Sequence, residues 1–341
     1  MQPIAWWLIA CCALVYLMVV VGGITRLTES GLSITEWQPI AGVIPPHDAA
    51  QWTAEFDRYK AIPQYRAIHP DMTLAQFKTI FYWEYFHRLL GRVIGLAFFV
   101  PFAWFLVRGR IKGPLVPKLA GIFALGAIQG GIGWYMVESG LSHRIEVSQY
   151  RLALHLATAV VIYAAMLWVA LDLLQPAARR AGARDDVRRM RHGATAVLAL
   201  AFVTLIAGAF VAGLRAGYID NTFPLMEGHI VPPGYFHLVP WYRNFFANLA
   251  AVQFDHRVLA ETTFLAIGAL WLYARGAALT RGQRRALDAL LAMAAVQVGL
   301  GIATLLLVVP LPLAALHQAG AIGVITAALV ARHGLGAPAR L

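Results

Sequence analysis

The chain has 341 residues, of which 60% are hydrophobic and only 13% charged, and its mean hydropathy is +0.64. This composition lies outside the range of ordinary soluble proteins and excludes a single soluble domain. The net charge of +11 leaves a nucleic-acid partner open until the basic residues are placed along the chain.

Eight continuously apolar runs follow one another from the N-terminus to the C-terminus. Each is close to the roughly 20 residues that a helix needs to cross a ~30 Å hydrocarbon layer. Strands of a membrane barrel would instead alternate between apolar and polar residues. The chain is therefore predicted to be an all-α membrane protein with eight transmembrane helices. The runs cover residues 5–25, 89–107, 119–137, 152–171, 194–214, 258–274, 289–309 and 311–331.

The basic residues are distributed unequally between the two sides of these runs. Sixteen of the 28 Lys and Arg residues follow the second, fourth, sixth and eighth runs, and such residues collect on the cytoplasmic side of membrane proteins. The prediction is a multi-pass membrane protein with both termini in the cytoplasm. Because the excess charge then serves to orient the protein, nucleic acid is excluded as a partner. The first run is too long for a signal peptide and is predicted to stay in the mature protein.

Four segments of the first half recur in the same order in the second half. Each half then contains four spans and enters the membrane in the same direction, which predicts two tandem four-helix bundles related by a pseudo-twofold axis along the membrane normal. The predicted domains are residues 1–175, with a long outer loop at 27–85, a basic cytoplasmic linker at 176–192, and residues 193–341. The matched segments are 22–32 with 208–218, 85–90 with 254–259, 127–133 with 295–301, and 153–157 with 315–319. Four glycines in these matched segments are predicted to permit close helix packing, namely Gly131, Gly133, Gly299 and Gly301.

Four of the eleven histidines start the even-numbered spans, at His87, His155, His256 and His317. Counted back from the inner ends of these spans, the four histidines share one layer in the outer third of the membrane. A lone intramembrane histidine is usually a satisfied polar group. Two per repeat, from neighbouring helices of a bundle, instead predict the two axial ligands of a haem iron. The other seven histidines are predicted to lie in loops or tails without a function.

One residue breaks the symmetry of the two halves. Glu84 lies three residues before His87, whereas its counterpart in the repeat is Gln253. A carboxylate in one half predicts chemistry there and an electron-transfer haem in the other half. The alternative is that Glu84 only complements the positive end of a helix. Arg88 and Arg257 are candidates either for haem propionates or for anchors at the membrane interface.

Three stretches together resemble the haem A synthases of α-proteobacteria and mitochondria: GGITRLTESGLSITEWQPIAGVIPP, EFDRYKAIPQY and FYWEYFHRLLGR, at residues 22–46, 55–65 and 81–92. The resemblance implies a membrane oxidoreductase that converts the C8 methyl of haem O into the formyl group of haem A for cytochrome c oxidase. It implies Glu84 as the catalytic residue, His87 and His155 as ligands of the substrate haem iron, and His256 and His317 as ligands of a haem b cofactor. Implied partners are haem O, haem O synthase, cytochrome oxidase assembly factors, an unidentified electron acceptor or donor, and membrane lipid.

Two other functions explain part of the pattern. A di-haem membrane cytochrome, linked to quinol, accounts for the four histidines but not for Glu84 opposite Gln253. A transporter of parallel repeats, with histidines as proton relays, predicts a colourless protein. Haem O synthase itself is excluded because the chain has no paired Asp-rich motifs for magnesium diphosphate.

Overall fold

The computed structural model describes residues 1–38, 41–141, 145–175 and 185–336, and in these residues it contains α-helices and no β-strand. Eight of the helices are long and apolar enough to cross a membrane, which confirms the predicted class and number of spans. They are α1 (Gln2–Leu27), α4 (Leu74–Val107), α5 (Leu115–Leu141), α6 (Gln149–Leu174), α7 (Asp185–Gly213), α9 (Leu249–Arg275), α10 (Arg281–Leu306) and α11 (Leu311–Gly334). The shorter helices are α2 (Ala49–Lys60), α3 (Pro63–Ile68) and α8 (Asn244–Ala247).

The helix α4 begins earlier than its apolar run predicts. Thr73 and Gln76 form a reciprocal capping box that starts the helix at Leu74. With 34 residues, α4 is about 51 Å long at ~1.5 Å per residue and exceeds the ~30 Å hydrocarbon layer. The prediction of a loop over residues 27–85 was therefore wrong for residues 74–85. The same segment also contains α2 and α3.

An aromatic core holds α2 and α3 against the first turns of α4. Trp52, Phe56, Tyr59 and Phe77 are buried there, and Phe56 and Phe77 stack with ring centres 5.0 Å apart. Burial raises the pKa of Tyr59, so its neutral hydroxyl remains a donor, 3.2 Å from the amide oxygen of Gln64. The outer segment is thus an ordered, packed structure.

Contacts divide the chain into one unit of residues 13–159 and another of residues 1–12 and 160–341. In the second unit, α7 and α10 each pack against both α9 and α11, which makes a four-helix arrangement. In the first unit, Gly91 of α4 contacts Met18 of α1, and α5 packs against α4. Residues 176–184 of the predicted linker lie outside the described residues. Its remainder, 185–192, forms the first turns of α7, where Asp185 and Asp186 suit the positive helix end.

Two histidines predicted for loops or tails lie in helices, namely His192 in α7 and His333 in α11. His333 is 1% exposed, and its Nε2 lies 2.9 Å from a carboxylate oxygen of Asp172. Its ring also meets Trp168 edge to face. The prediction failed because α11 continues past its last apolar residue and carries His333 into a packed environment. His143 lies outside the described residues.

Candidate functional site

His256 of α9 and His317 of α11 face each other in the second unit. Their ring centres are 6.4 Å apart and their planes are inclined by 85°. A metal–imidazole nitrogen bond of roughly 2.0 Å on each side, with about 1.1 Å from each nitrogen to its ring centre, gives a separation of about 6 Å. The pair therefore fits one metal ion between two imidazoles. The described residues contain no group of three or more His, Cys, Asp or Glu that could hold a metal by themselves. A haem iron takes two axial ligands from the protein, and two histidines are a common pair for that task.

The helices that carry this pair are arranged differently from the prediction. The sequence pattern predicts that the two ligands of a bundle lie on neighbouring helices. In the structure, α7 and α10 each contact both α9 and α11, so the ligand helices α9 and α11 face each other diagonally. Neighbouring helices pack at about 8–10 Å between axes, so the axes of helices on a diagonal lie farther apart than that.

Each of the four histidines packs against a glycine on another helix. A Cβ atom added to the glycine would lie 2.8 to 3.1 Å from the imidazole Cε1 atom. At 2.8 and 2.9 Å, for Gly22 and Gly301, the ring would have to move, whereas at 3.0 and 3.1 Å, for Gly208 and Gly133, the contact would be unusually tight. The pairs are Gly22 with His87, Gly133 with His155, Gly208 with His256, and Gly301 with His317.

The glycines predicted to permit close helix packing therefore divide into two kinds. Gly133 and Gly301 lie against histidine rings, whereas a Cβ on Gly131 or Gly299 would meet no atom within 4 Å. The packing prediction was wrong for Gly131 and Gly299. The reason is helical geometry, since residues two apart on a helix point about 200° apart.

Two glutamines that are absent from the predicted site each contact one histidine, one in each half of the chain. The amide nitrogen of Gln129 donates to the backbone oxygen of His155 at 2.9 Å and lies 3.1 Å from its Nδ1. Gln297 contacts His317 at the same two distances. The signal was present in the sequence, because Gln129 and Gln297 occupy the same place in the repeated segments 127–133 and 295–301.

The carboxylate of Glu84 is buried and engaged on both oxygens. Its Oε2 accepts hydrogen bonds from the Ser33 hydroxyl and the Ile34 backbone N–H, each at 2.8 Å. Its Oε1 accepts from the guanidinium of Arg88 at 2.6 Å. Glu84 thus joins α4 to the loop that follows α1.

Gln253 makes the corresponding connection in the second unit, but it donates hydrogen bonds to its loop, whereas Glu84 accepts them. Its amide nitrogen donates to the backbone oxygens of Ala216 at 2.7 Å and Ile219 at 2.6 Å. Its amide oxygen accepts from Arg257 at 2.7 Å. An amide suits this loop because the loop presents carbonyls, whereas the loop beside Glu84 presents donors.

The two arginines bind the same loops. Arg88 donates to the backbone oxygens of Ile34 at 2.7 Å and Glu36 at 2.9 Å. Arg257 donates to those of Asp220 and Thr222, both at 2.7 Å. Arg88 and Arg257 therefore each fasten the loop beside their helix, and their predicted roles toward haem propionates or the membrane interface stay predictions.

His87 and His155 are the pair predicted for the first unit, and both are partly buried. The Nδ1 atom of His87 is buried and has no hydrogen-bond partner in the described part of the chain. In contrast, Nδ1 of His256 lies 3.1 Å from the backbone oxygen of Thr204.

The fold and these residues define a polytopic helical membrane protein with a pair of histidines, His256 and His317, inside its second unit. Residues 5–329 match the family model of the cytochrome oxidase assembly proteins, and the chain belongs to that family.

Curated relatives cover nearly the whole chain. The heme A synthase of Nitrosospira multiformis is 57% identical over 334 residues, which are 98% of this chain and 94% of the relative. The heme A synthase of Nitrosomonas eutropha is 53% identical, with 96% and 92% covered. That of Rhodospirillum centenum is 52% identical, with 96% and 87% covered.

Proposed function

We propose that this chain is a haem A synthase, a membrane oxidoreductase that oxidises the C8 methyl group of haem O to the formyl group of haem A for cytochrome c oxidase. The observation that carries the proposal is the pairing of His256 with His317 at a separation that fits one haem iron. Membership of the cytochrome oxidase assembly family and relatives named heme A synthase support the same activity.

The two halves have different tasks in this proposal. His256 and His317 hold a resident haem b, which supplies a centre for one-electron transfer when bound. His87 and His155 hold the iron of the substrate, haem O. The duplication supports a haem in each half, and the difference between Glu84 and Gln253 supports chemistry in the N-terminal one.

Glu84 is the proposed catalytic residue. Three donors engage both of its oxygens, so its negative charge is held in a fixed position one helical turn before His87. Such a preorganised charge stabilises positive charge that develops on the substrate during methyl oxidation, which proceeds through an alcohol. The engaged lone pairs favour this electrostatic role over uptake of a proton from the substrate.

The placement in the cell follows from charge and duplication. We assign the protein to the bacterial inner membrane, with both termini in the cytoplasm and the haem sites toward the periplasm, because of the unequal distribution of Lys and Arg. The repeated segments support two tandem four-helix halves around a pseudo-twofold axis. Haem O synthase, assembly factors and an electron acceptor or donor are the proposed partners.

Identification of the haems extracted from the purified protein tests this function. In a host that makes haem O, we expect haem b together with haem O or haem A. A di-haem cytochrome would yield haem b alone, and a transporter would be colourless. If replacing His256 or His317 left the absorption bands of the reduced protein unchanged, the assignment of the resident haem would be wrong.

A further inference from the structure

A pair of hydroxyl groups joins α7 to α9 inside the second unit. The side-chain oxygens of Thr204 on α7 and Thr263 on α9 are 2.8 Å apart. Thr263 donates to the backbone oxygen of Leu259 at 2.7 Å, so its own oxygen can accept from Thr204, whose hydroxyl also lies 2.9 Å from the Leu200 carbonyl. Thr263 is 6% exposed. The two hydroxyls therefore connect the helices at a buried point.

The backbone of Thr204 contacts His256 beside this link. The carbonyl oxygen of Thr204 lies 3.1 Å from Nδ1 of His256. Gly208, one helical turn later, leaves room for the ring, because a Cβ atom there would lie 3.0 Å from the imidazole Cε1. A carbonyl oxygen only accepts hydrogen bonds, so Nδ1 carries the proton in this contact. The contact selects the tautomer that leaves Nε2 free to bind a metal.

The first half of the chain lacks both hydroxyls. When the matched segments are extended along their helices, Thr204 corresponds to Met18 and Thr263 corresponds to Ile94. In the described part of that half, Nδ1 of His87 is buried and has no hydrogen-bond partner. The hydroxyl pair and the hydrogen bond on Nδ1 thus occur together in one half, and neither occurs at the corresponding place in the other.

We propose that Thr204 and Thr263 are positioning residues for His256, whose ring they hold by fixing α7 against α9 at the turn that presents the Thr204 carbonyl. This inference rests on the proposed function, because it concerns the haem b assigned to His256. A hydrogen bond on the second ring nitrogen orients the imidazole and raises the basicity of the ligating nitrogen. A more basic ligand stabilises ferric iron, so the link lowers the reduction potential of haem b.

The reduction potential of haem b in the purified full-length protein tests this role. The Thr263→Val variant keeps the shape of the side chain but removes its hydroxyl. At a fixed ambient potential, we expect the ratio of ferrous to ferric haem b to rise about threefold, the average effect of one interhelical hydrogen bond in a membrane. This is an upward shift of ~30 mV. Thr204→Val should give a similar shift.

Thr262→Val is the matched control on the same helix. Thr262 is exposed, and its hydroxyl donates to the carbonyl of Val258 one turn earlier, at 2.7 Å. This variant should keep the original potential. Thr263→Ser, which retains the hydroxyl, should also keep it. If the hydroxyls served stability alone, Thr263→Val would lower the unfolding temperature without moving the potential, and the inference would be wrong.

The remaining outcomes separate this inference from the proposed function. An equal shift in Thr262→Val, or a shift in Thr263→Ser as large as that in Thr263→Val, would overturn the role given to the hydroxyls and leave the proposed function intact. Loss of haem b from Thr263→Val but not from Thr263→Ser or Thr262→Val would support the role. Absence of haem b from the unmodified protein would overturn the proposed function as well.

Discussion

Glu84 and Gln253 differ only in one side-chain group, an oxygen in Glu84 and an amide nitrogen in Gln253. This difference decides which loop each side chain can bind. Both side chains accept a bond from an arginine four residues later and connect their helix to a loop. The loop beside Glu84 offers a hydroxyl and an N–H, so only a group with two acceptor oxygens satisfies it. The loop beside Gln253 offers two carbonyls, so it requires an amide.

The Glu84→Gln variant should retain haem but fail to convert haem O. It should also lose roughly 1–3 kcal/mol of stability, because an amide nitrogen must face either the Ile34 N–H or the Arg88 guanidinium and leaves one buried donor unsatisfied. Haem composition and thermal unfolding measure the two effects separately.

The Glu84→Asp variant is the matched control, because it keeps the charge but shortens the side chain. If it is destabilised as much as Glu84→Gln yet still makes haem A, the charge itself acts in the reaction. A normal yield of haem A from Glu84→Gln would remove Glu84 from the mechanism.

At the scale of the helix, α5 and α10 each present one glycine to a histidine and one to open space. Gly301 lies against His317, whereas Gly299 faces no atom within 4 Å. Both are glycines in the same apolar helix, so composition cannot separate them. Their different surroundings arise only when α10 packs against α11.

We predict opposite effects for alanine at these two positions. Gly301→Ala should displace the His317 ring and weaken the low-spin spectrum of haem b, at a cost of about 1–3 kcal/mol for overpacking. Gly299→Ala should leave the spectrum unchanged and stabilise the helix by roughly 0.5–1 kcal/mol. Absorption spectra and thermal unfolding of the two variants provide the measurement, and a similar loss of haem b in both would contradict the assigned contacts.

At the scale of the whole molecule, the unequal distribution of charge predicts the orientation in the membrane. A green fluorescent protein attached after the C-terminal residue should fluoresce, because it folds in the cytoplasm, and a periplasmic phosphatase attached there should be inactive. The same pair of reporters inserted at residue 228, between α7 and α8, should give the reverse result. Fluorescence at residue 228 would contradict the positive-inside assignment.

The sequence by itself determined the number of spans, because a run of about 20 apolar residues has no stable place outside a membrane or a large core. It also placed four histidines at matching points of a duplication, since that pattern needs no knowledge of packing. The prediction of eight membrane helices was confirmed. The roles of the histidines and of Glu84 stay predictions that the experiments above address.

Only the tertiary structure decided which side chains meet. The diagonal placement of α9 and α11, the contacts of Gln129 and Gln297, and the burial of His333 against Asp172 join residues on different helices. Periodicity describes one helix at a time, so it cannot say which neighbour a given face will touch. Hydrogen-bond partners depend on that choice, because these bonds form only within about 3 Å and in a narrow range of directions.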